Sequence, residues 1–130
     1  SDKLIRTSIE QGDLFEVLPK LHEAFYDLVI NEGVPQHFPD AERRQDCINL
    51  MARVAKGMVV IIGNNGLNPR EQEVDLKFKF SYCGMPPTRK CFTPEELKAR
   101  MEHAGLRQVK VESLGAEWKD ATLIAGWGVR

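Results

Sequence analysis

Two short apolar runs stand out along the chain, Tyr26-Asp27-Leu28-Val29-Ile30 and Met58-Val59-Val60-Ile61-Ile62. Both are rich in β-branched residues and both are followed at once by turn formers. Runs of this kind mark strands buried on both faces, as in a parallel sheet. Between them Cys47, Leu50, Met51 and Val54 recur at i, i+3, i+4 and i+7, which predicts an amphipathic helix. Asp40 is placed to cap its start, Lys56 to complement its C-terminal dipole, and Gly57 to take the left-handed conformation that stops it. Strand, helix and strand in this order form a βαβ unit, for which a right-handed crossover is strongly preferred. The sheet is therefore expected to be open and parallel here.

Further on, Thr93-Pro94-Glu95-Glu96 has the capping-box spacing, with proline in the first helical position, and predicts a second helix. Leu97, Met101 and Ala104 share a face of it and Gly105 ends it. Val109, Val111 and Ser113 then alternate with Lys110 and Glu112 as a half-exposed strand, and Thr122 to Trp127 reads as a last apolar strand returning antiparallel beside it. Trp118 and Trp127 flank this hairpin as core or edge-covering aromatics. Ahead of the first apolar run, Leu4 to Ile9 has weak β character and Gly12-Asp13 forms a turn before Leu14-Phe15. The stretch 64–92 differs from the rest: glycines and prolines break it, and Leu76, Phe78, Phe80 and Tyr82 alternate with Lys77, Lys79 and Ser81. An extra strand or a flap over a site would both suit it, and connections this long are often functional.

Composition narrows the function more by exclusion than by assignment. With 42% hydrophobic and 28% charged residues the chain is an ordinary globular one, and its 130 residues suit a single domain, 1–130. Eighteen basic against nineteen acidic residues give a net charge of −1, so no summed field draws in nucleic acid or an acidic membrane. The longest basic cluster, Thr88-Arg89-Lys90, is too short to neutralise several phosphates. No apolar run approaches the ~20 residues that span a bilayer. Three widely spaced cysteines, Cys47, Cys83 and Cys91, argue for a reducing compartment such as the cytoplasm rather than a disulfide framework. Neither they nor His22 and His103 have the spacing of a metal site.

Taken in order, Gln11-Gly12-Asp13-Leu14-Phe15-Glu16-Val17-Leu18-Pro19 and Phe25-Tyr26-Asp27-Leu28-Val29-Ile30-Asn31-Glu32-Gly33-Val34-Pro35-Gln36-His37-Phe38 resemble the middle of class I S-adenosylmethionine-dependent methyltransferases. The similarity runs on through Met51 to Gly57, the strand ending at Ile62, Phe92 to Leu97, and His103-Ala104-Gly105-Leu106. It implies a partial doubly wound, Rossmann-like α/β sheet, mostly parallel, with a terminal antiparallel hairpin. Under that resemblance Asp13 would accept from the adenine amino group and Leu14 would pack on the ring. Asn31, Glu32 and Gly33 would line the methionyl end of S-adenosylmethionine, and His37 could act as a base or orient a small-molecule acceptor. The 64–92 stretch would be a substrate-side insertion.

The chain departs from the pattern in one large respect. The family opens with a strand and a Glu/Asp-x-Gly-x-Gly turn, and no such turn occurs in these 130 residues. The sequence thus supports two expectations. The first is a methyltransferase domain present as a fragment, inactive by itself. The second is a truncated, non-catalytic α/β module serving interaction or oligomerisation. In both, the strand from Tyr26 to Ile30 is left with an unpaired edge that a second copy or a complementary N-terminal half could cover. Pro35 and Gln36 replace the leucine and glutamate common in the family, so the turn they begin is expected to differ.

Overall fold

In the computed structural model, residues 7–38, 40–77 and 90–130 are described. A short helix α1 (Leu14–Val17) and a 3-10 turn (Leu18–Lys20) lead into β1 (Tyr26–Glu32), a second 3-10 turn (Pro35–His37) and α2 (Ala41–Val54). Then follow β2 (Ala55–Asn64), α3 (Pro69–Lys77), α4 (Pro94–His103), β3 (Arg107–Leu114) and β4 (Leu123–Val129). The strands form one open sheet in the order β1-β2-β4-β3. β1 and β2 are parallel, and β4 is antiparallel to both of its neighbours. No helix among the described residues is long and apolar enough to cross a membrane.

The helix boundaries follow local chemistry. Asp40 caps α2 by accepting from the Glu42 N–H at 2.9 Å. The helix stops earlier than Gly57, at Ala55, whose extended backbone opens β2 directly. Gly57 instead lies within the strand, where a Cβ would stand 2.4 Å from the Asp27 carbonyl oxygen, so glycine is required there by close backbone approach. Lys56 likewise lies in β2, facing Asp27 at 3.9 Å on the surface, and Arg53 is the basic residue of the last helical turn. Thr93 caps α4 through the Glu96 N–H, but the Glu96 carboxylate turns away to Arg44 and Arg100 instead of closing the capping box. Gly105, at φ +91°, ends that helix as expected.

Two expectations change. The alternating stretch starting at Leu76 does not begin as a strand, because Leu76 and Lys77 belong to α3; its continuation through Phe78, Phe80 and Tyr82 lies outside the described residues. Asn68 caps α3, accepting from the Arg70 N–H at 2.9 Å, with Pro69 in the first helical position. The run beginning at Tyr26 is also not buried on both faces. Val29 packs on the core under α2, while Tyr26, Leu28 and Ile30 on the opposite face are 40%, 51% and 60% exposed.

The core lies between the sheet and the pair α2 and α4. Ile48, Met51, Leu97 and Met101 meet Val59, Ile61 and Ile124 there, all buried. Gly126 and Gly128 of β4 face the same layer, and a Cβ on Gly126 would stand 2.7 Å from the Met101 sulfur. The absence of side chains at these two positions lets α4 and the chain after it settle close on the sheet. On the other face, Leu28 pairs with Met58 and Ile30 with Val60, which continues the exposed apolar surface inward from the β1 edge. Among the described residues β1 has a sheet partner on one side only.

Candidate functional site

In an open α/β sheet, ligands bind beyond the carboxyl ends of the strands. β1 and β2 end side by side, with Glu32 opposite Ile62, and the chain must turn sharply to leave the sheet. The Asn31 side chain makes that turn by accepting from the Val34 N–H at 3.2 Å, and Gly33 takes φ +75°, a left-handed value that a side chain disfavours. The Gly33 N–H still pairs with the Ile62 carbonyl at 2.8 Å, and the space where its Cβ would stand is open. Pro35, with its fixed φ and missing N–H, then starts the short 3-10 turn that carries Gln36 and His37.

These segments enclose a cavity of about 390 Å³ lined by Glu32, Gly33, Val34, Gln36, His37, Ile62, Gly63, Asn64 and Leu123. Of the residues expected at a site, Glu32, Gly33 and His37 are brought together here. Asn31 is adjacent, its side chain committed to the turn. Asp13 and Leu14 do not line the cavity: Asp13 caps α1 through the Phe15 N–H, and Leu14 packs against the core.

Four polar residues that sequence reasoning passed over or misjudged build the walls. Gln36 is 2% exposed and clasps Asn64 with both halves of its amide. Its Nε2 donates to Asn64 Oδ1 at 2.7 Å, and its Oε1 accepts from the Asn64 N–H at 2.8 Å. Asn64 Nδ2 in turn donates to Glu71 Oε2 at 3.0 Å, tying the wall to α3. A glutamate at position 36 would lack the donor for Asn64 Oδ1, which accounts for glutamine in place of the more common acid. The buried Arg44 guanidinium holds this arrangement from behind: it donates to the carbonyls of Phe38, Gln36 and Lys90 at 3.0, 2.9 and 2.8 Å and pairs with Glu96 at 3.2 Å. Burial lowers its pKa from the ordinary value, opposed by the charge of Glu96. The Phe92 ring lies 4.9 Å beneath the guanidinium carbon. A signal for Arg44 was present, since it lies three residues before Cys47 on the apolar stripe of α2. Among the described residues no group of His, Cys, Asp and Glu side chains could hold a metal ion.

No family model matches the chain, and no curated protein matches it in sequence. Solved structures match it in fold. A SAM-dependent methyltransferase from Archaeoglobus fulgidus superposes with a TM-score of 0.72 at 18% identity, covering 93% of this chain and 66% of that one. An O-methyltransferase family protein from Burkholderia thailandensis gives 0.63 at 17% identity, over 94% of this chain and 35% of its own. A SAM-dependent methyltransferase from Methanosarcina mazei gives 0.57 at 17%, over 85% and 62%. The chain thus has the Rossmann-like fold of class I S-adenosylmethionine-dependent methyltransferases, over less than two thirds of the length of these solved proteins.

Proposed function

We propose that this chain is the acceptor-side part of a methyltransferase domain that transfers a methyl group from S-adenosylmethionine to a small molecule. The observation that carries the reading is the cavity at the carboxyl ends of β1 and β2, which gathers Glu32, Gly33 and His37 beneath open space at Gly33. These residues fit the methionyl half of the cofactor: Gly33 leaves room for close approach, and the Glu32 carboxylate suits an ammonium group. The nucleoside half has only the Asp13 carboxylate and Leu14 to meet it, in the reading by resemblance, and the sequence contains no glycine-rich turn for the rest. When bound, S-adenosylmethionine supplies an activated methyl group, so the protein's task is alignment and exclusion of water, and few residues need to react. His37 lines the cavity and in this reading would orient an acceptor or take its proton. The 64–92 stretch begins at Asn64 in the wall and would contribute acceptor selectivity. The scattered cysteines favour a cytoplasmic setting.

The β1 edge, which no other described strand covers, and its exposed apolar face favour a second element of the same proposal: the chain works joined to a partner. A complementary N-terminal half would restore the cofactor site, whereas a second copy alone would make the module an oligomerising, non-catalytic one. Isothermal titration with S-adenosylmethionine and S-adenosylhomocysteine, read beside light scattering, separates these. The chain alone is expected to bind neither nucleoside at micromolar concentration. Micromolar binding by the chain alone would remove the need for a complementary half. A concentration-dependent homodimer without cofactor binding would favour the non-catalytic module.

A further inference from the structure

We propose that α3 is a folding cap beside the cavity: it melts away from a fixed base at Asn65 and Asn68, and its opening releases the Asn64 side chain to donate to a bound ligand. This deepens the methyltransferase reading by adding a gate to its cavity, and it rests on that reading only for what the cavity holds.

The base is firmly built. Asn65 is fully buried, its Nδ2 donates to the carbonyls of Trp118 and Ala121, and its Oδ1 accepts from the Leu67 N–H at 3.0 Å. The Gly66 N–H meets the Phe92 carbonyl at 2.7 Å, so closely that a Cβ on Gly66 would stand 3.0 Å from the same oxygen. Asn68, 6% exposed, donates to the Ala121 carbonyl at 3.1 Å while its Oδ1 caps α3. These bonds lock the loop after β2 to the connection from β3 to β4 and to the segment before α4.

Beyond that base the helix is held differently. No residue of α3 is buried, and its aliphatic side chains Val74 and Leu76 are 43% and 89% exposed. The half-buried residues of the helix are instead two carboxylates one turn apart. Glu71 Oε2 accepts from Asn64 Nδ2 at 3.0 Å, and Asp75 Oδ2 accepts from the Cys91 N–H at 2.6 Å. With nine residues, α3 is too short to stay helical once detached, because isolated helices below about 12–15 residues are marginal in water. Lifting it therefore unfolds it, and little apolar surface is uncovered when it does.

Opening changes the cavity because Asn64 belongs to both structures. It lines the cavity, and Gln36 holds it there through Asn64 Oδ1 and the Asn64 N–H. When Glu71 leaves, those two bonds keep the side chain in place while Nδ2 loses its acceptor. A ligand that brings a carboxylate or carbonyl oxygen within reach of Nδ2 restores the lost bond. Such a ligand binds the open state better than the closed one and shifts the population toward it.

The test is native-state hydrogen exchange of the 15N-labelled chain at increasing urea. The amides of Glu73, Val74 and Asp75 should exchange at least about a hundredfold faster than those of Val59 and Ile124, with almost no dependence on urea below the unfolding transition. Cys91 and Phe92 give an internal contrast. The Cys91 N–H, bonded to Asp75, should exchange with α3, and the Phe92 N–H, bonded to the Asn64 carbonyl at 3.0 Å, with the sheet. Asp75→Ala removes no atom from the cavity wall; it should raise the α3 rates about tenfold and move the Asn64 side-chain NH2 signals toward their positions in Glu71→Ala. The proposal is overturned by α3 amides that share the rate and urea dependence of β2, by Cys91 protected together with Phe92, or by Asn64 signals unmoved in Asp75→Ala. No cofactor enters these measurements. Their failure removes the cap and leaves the methyltransferase reading, whereas failure of cofactor binding under any pairing removes that reading and leaves the cap.

Discussion

Replacing Arg44 with alanine puts the wiring of the site to a quantitative trial. The side chain is 4% exposed and holds three backbone carbonyls, two from the turn at Gln36 and Phe38 and one from Lys90, together with the Glu96 carboxylate. Removing one member of a buried ion pair costs about 3–5 kcal/mol when the other charge is left bare. Here Glu96 is not left bare, because Arg100 still reaches it at 2.8 Å, and the Gln36 carbonyl keeps the Lys90 N–H at 3.0 Å. The loss therefore falls chiefly on the carbonyls of Phe38 and Lys90, at about 1–3 kcal/mol for each buried group stripped of its partner. A total near 3 kcal/mol is expected, equivalent to a fall in melting temperature of about 10 °C for a domain of this size. Urea unfolding at unchanged m measures it directly. Arg44→Lys should recover only part of the loss, since an ammonium lacks the planar fork that spans Gln36, Phe38 and Lys90. Arg43→Ala next to it is the control: Arg43 is exposed, rests 4.1 Å from the Phe15 ring centroid, and should cost under about 1 kcal/mol. If Arg44→Ala costs no more than Arg43→Ala, Arg44 does not organise the wall and the description given of it is wrong.

Three further outcomes follow from local geometry. Gly57→Ala should destabilise by about 1–3 kcal/mol, because the obstructing atom is a backbone oxygen that cannot rotate aside; hydrogen exchange should show β1 loosening before the rest of the sheet. Cys47 is buried, which pushes its thiol up to about 12 from 9.0, so the folded chain keeps the proton where the unfolded chain loses it. Stability should accordingly fall as pH rises from 9 toward 12, a decline absent in Cys47→Ala, and alkylation of Cys47 at pH 8 should proceed only as fast as the chain unfolds. Ile30→Lys, on the exposed face of the edge strand, should change stability by less than about 0.5 kcal/mol while reducing association in light scattering; unchanged association would remove this face from any interface.

The sequence pattern made the α2 and α4 helices legible because each carries both a periodic face and an explicit cap, Asp40 and Thr93. The apolar run of β1 suggested burial on both faces, yet Tyr26, Leu28 and Ile30 are exposed: composition reports what a strand is suited to, whereas its neighbours decide what is covered. α3 was missed for a different reason. Asn68-Pro69 is a sound start signal, but no residue of the helix is buried, so there was no apolar period to follow it. That Glu32, Gly33 and His37 lie close together, lining one cavity, was legible from their order after the strand. The Gln36–Asn64 clasp was not, since it joins residues far apart in sequence through side chains whose types fit any surface loop. Arg44 fell between these cases: its position on the helix was readable, but the three carbonyls that make its burial tolerable exist only once the chain is folded.

The placement of β4 between β2 and β3 has a bearing on how the protein is made. During synthesis the sheet's central partner emerges after all the strands it must join, so β2 waits with its apolar side and an open row of amides while some sixty residues are added. Only then can β3 be connected to β1 and β2 through a single ladder. The interval between the appearance of Ile62 and of Leu123 is therefore the period in which a nascent chain is most exposed to mispairing, and slowing translation there should lower the soluble yield more than slowing it anywhere earlier.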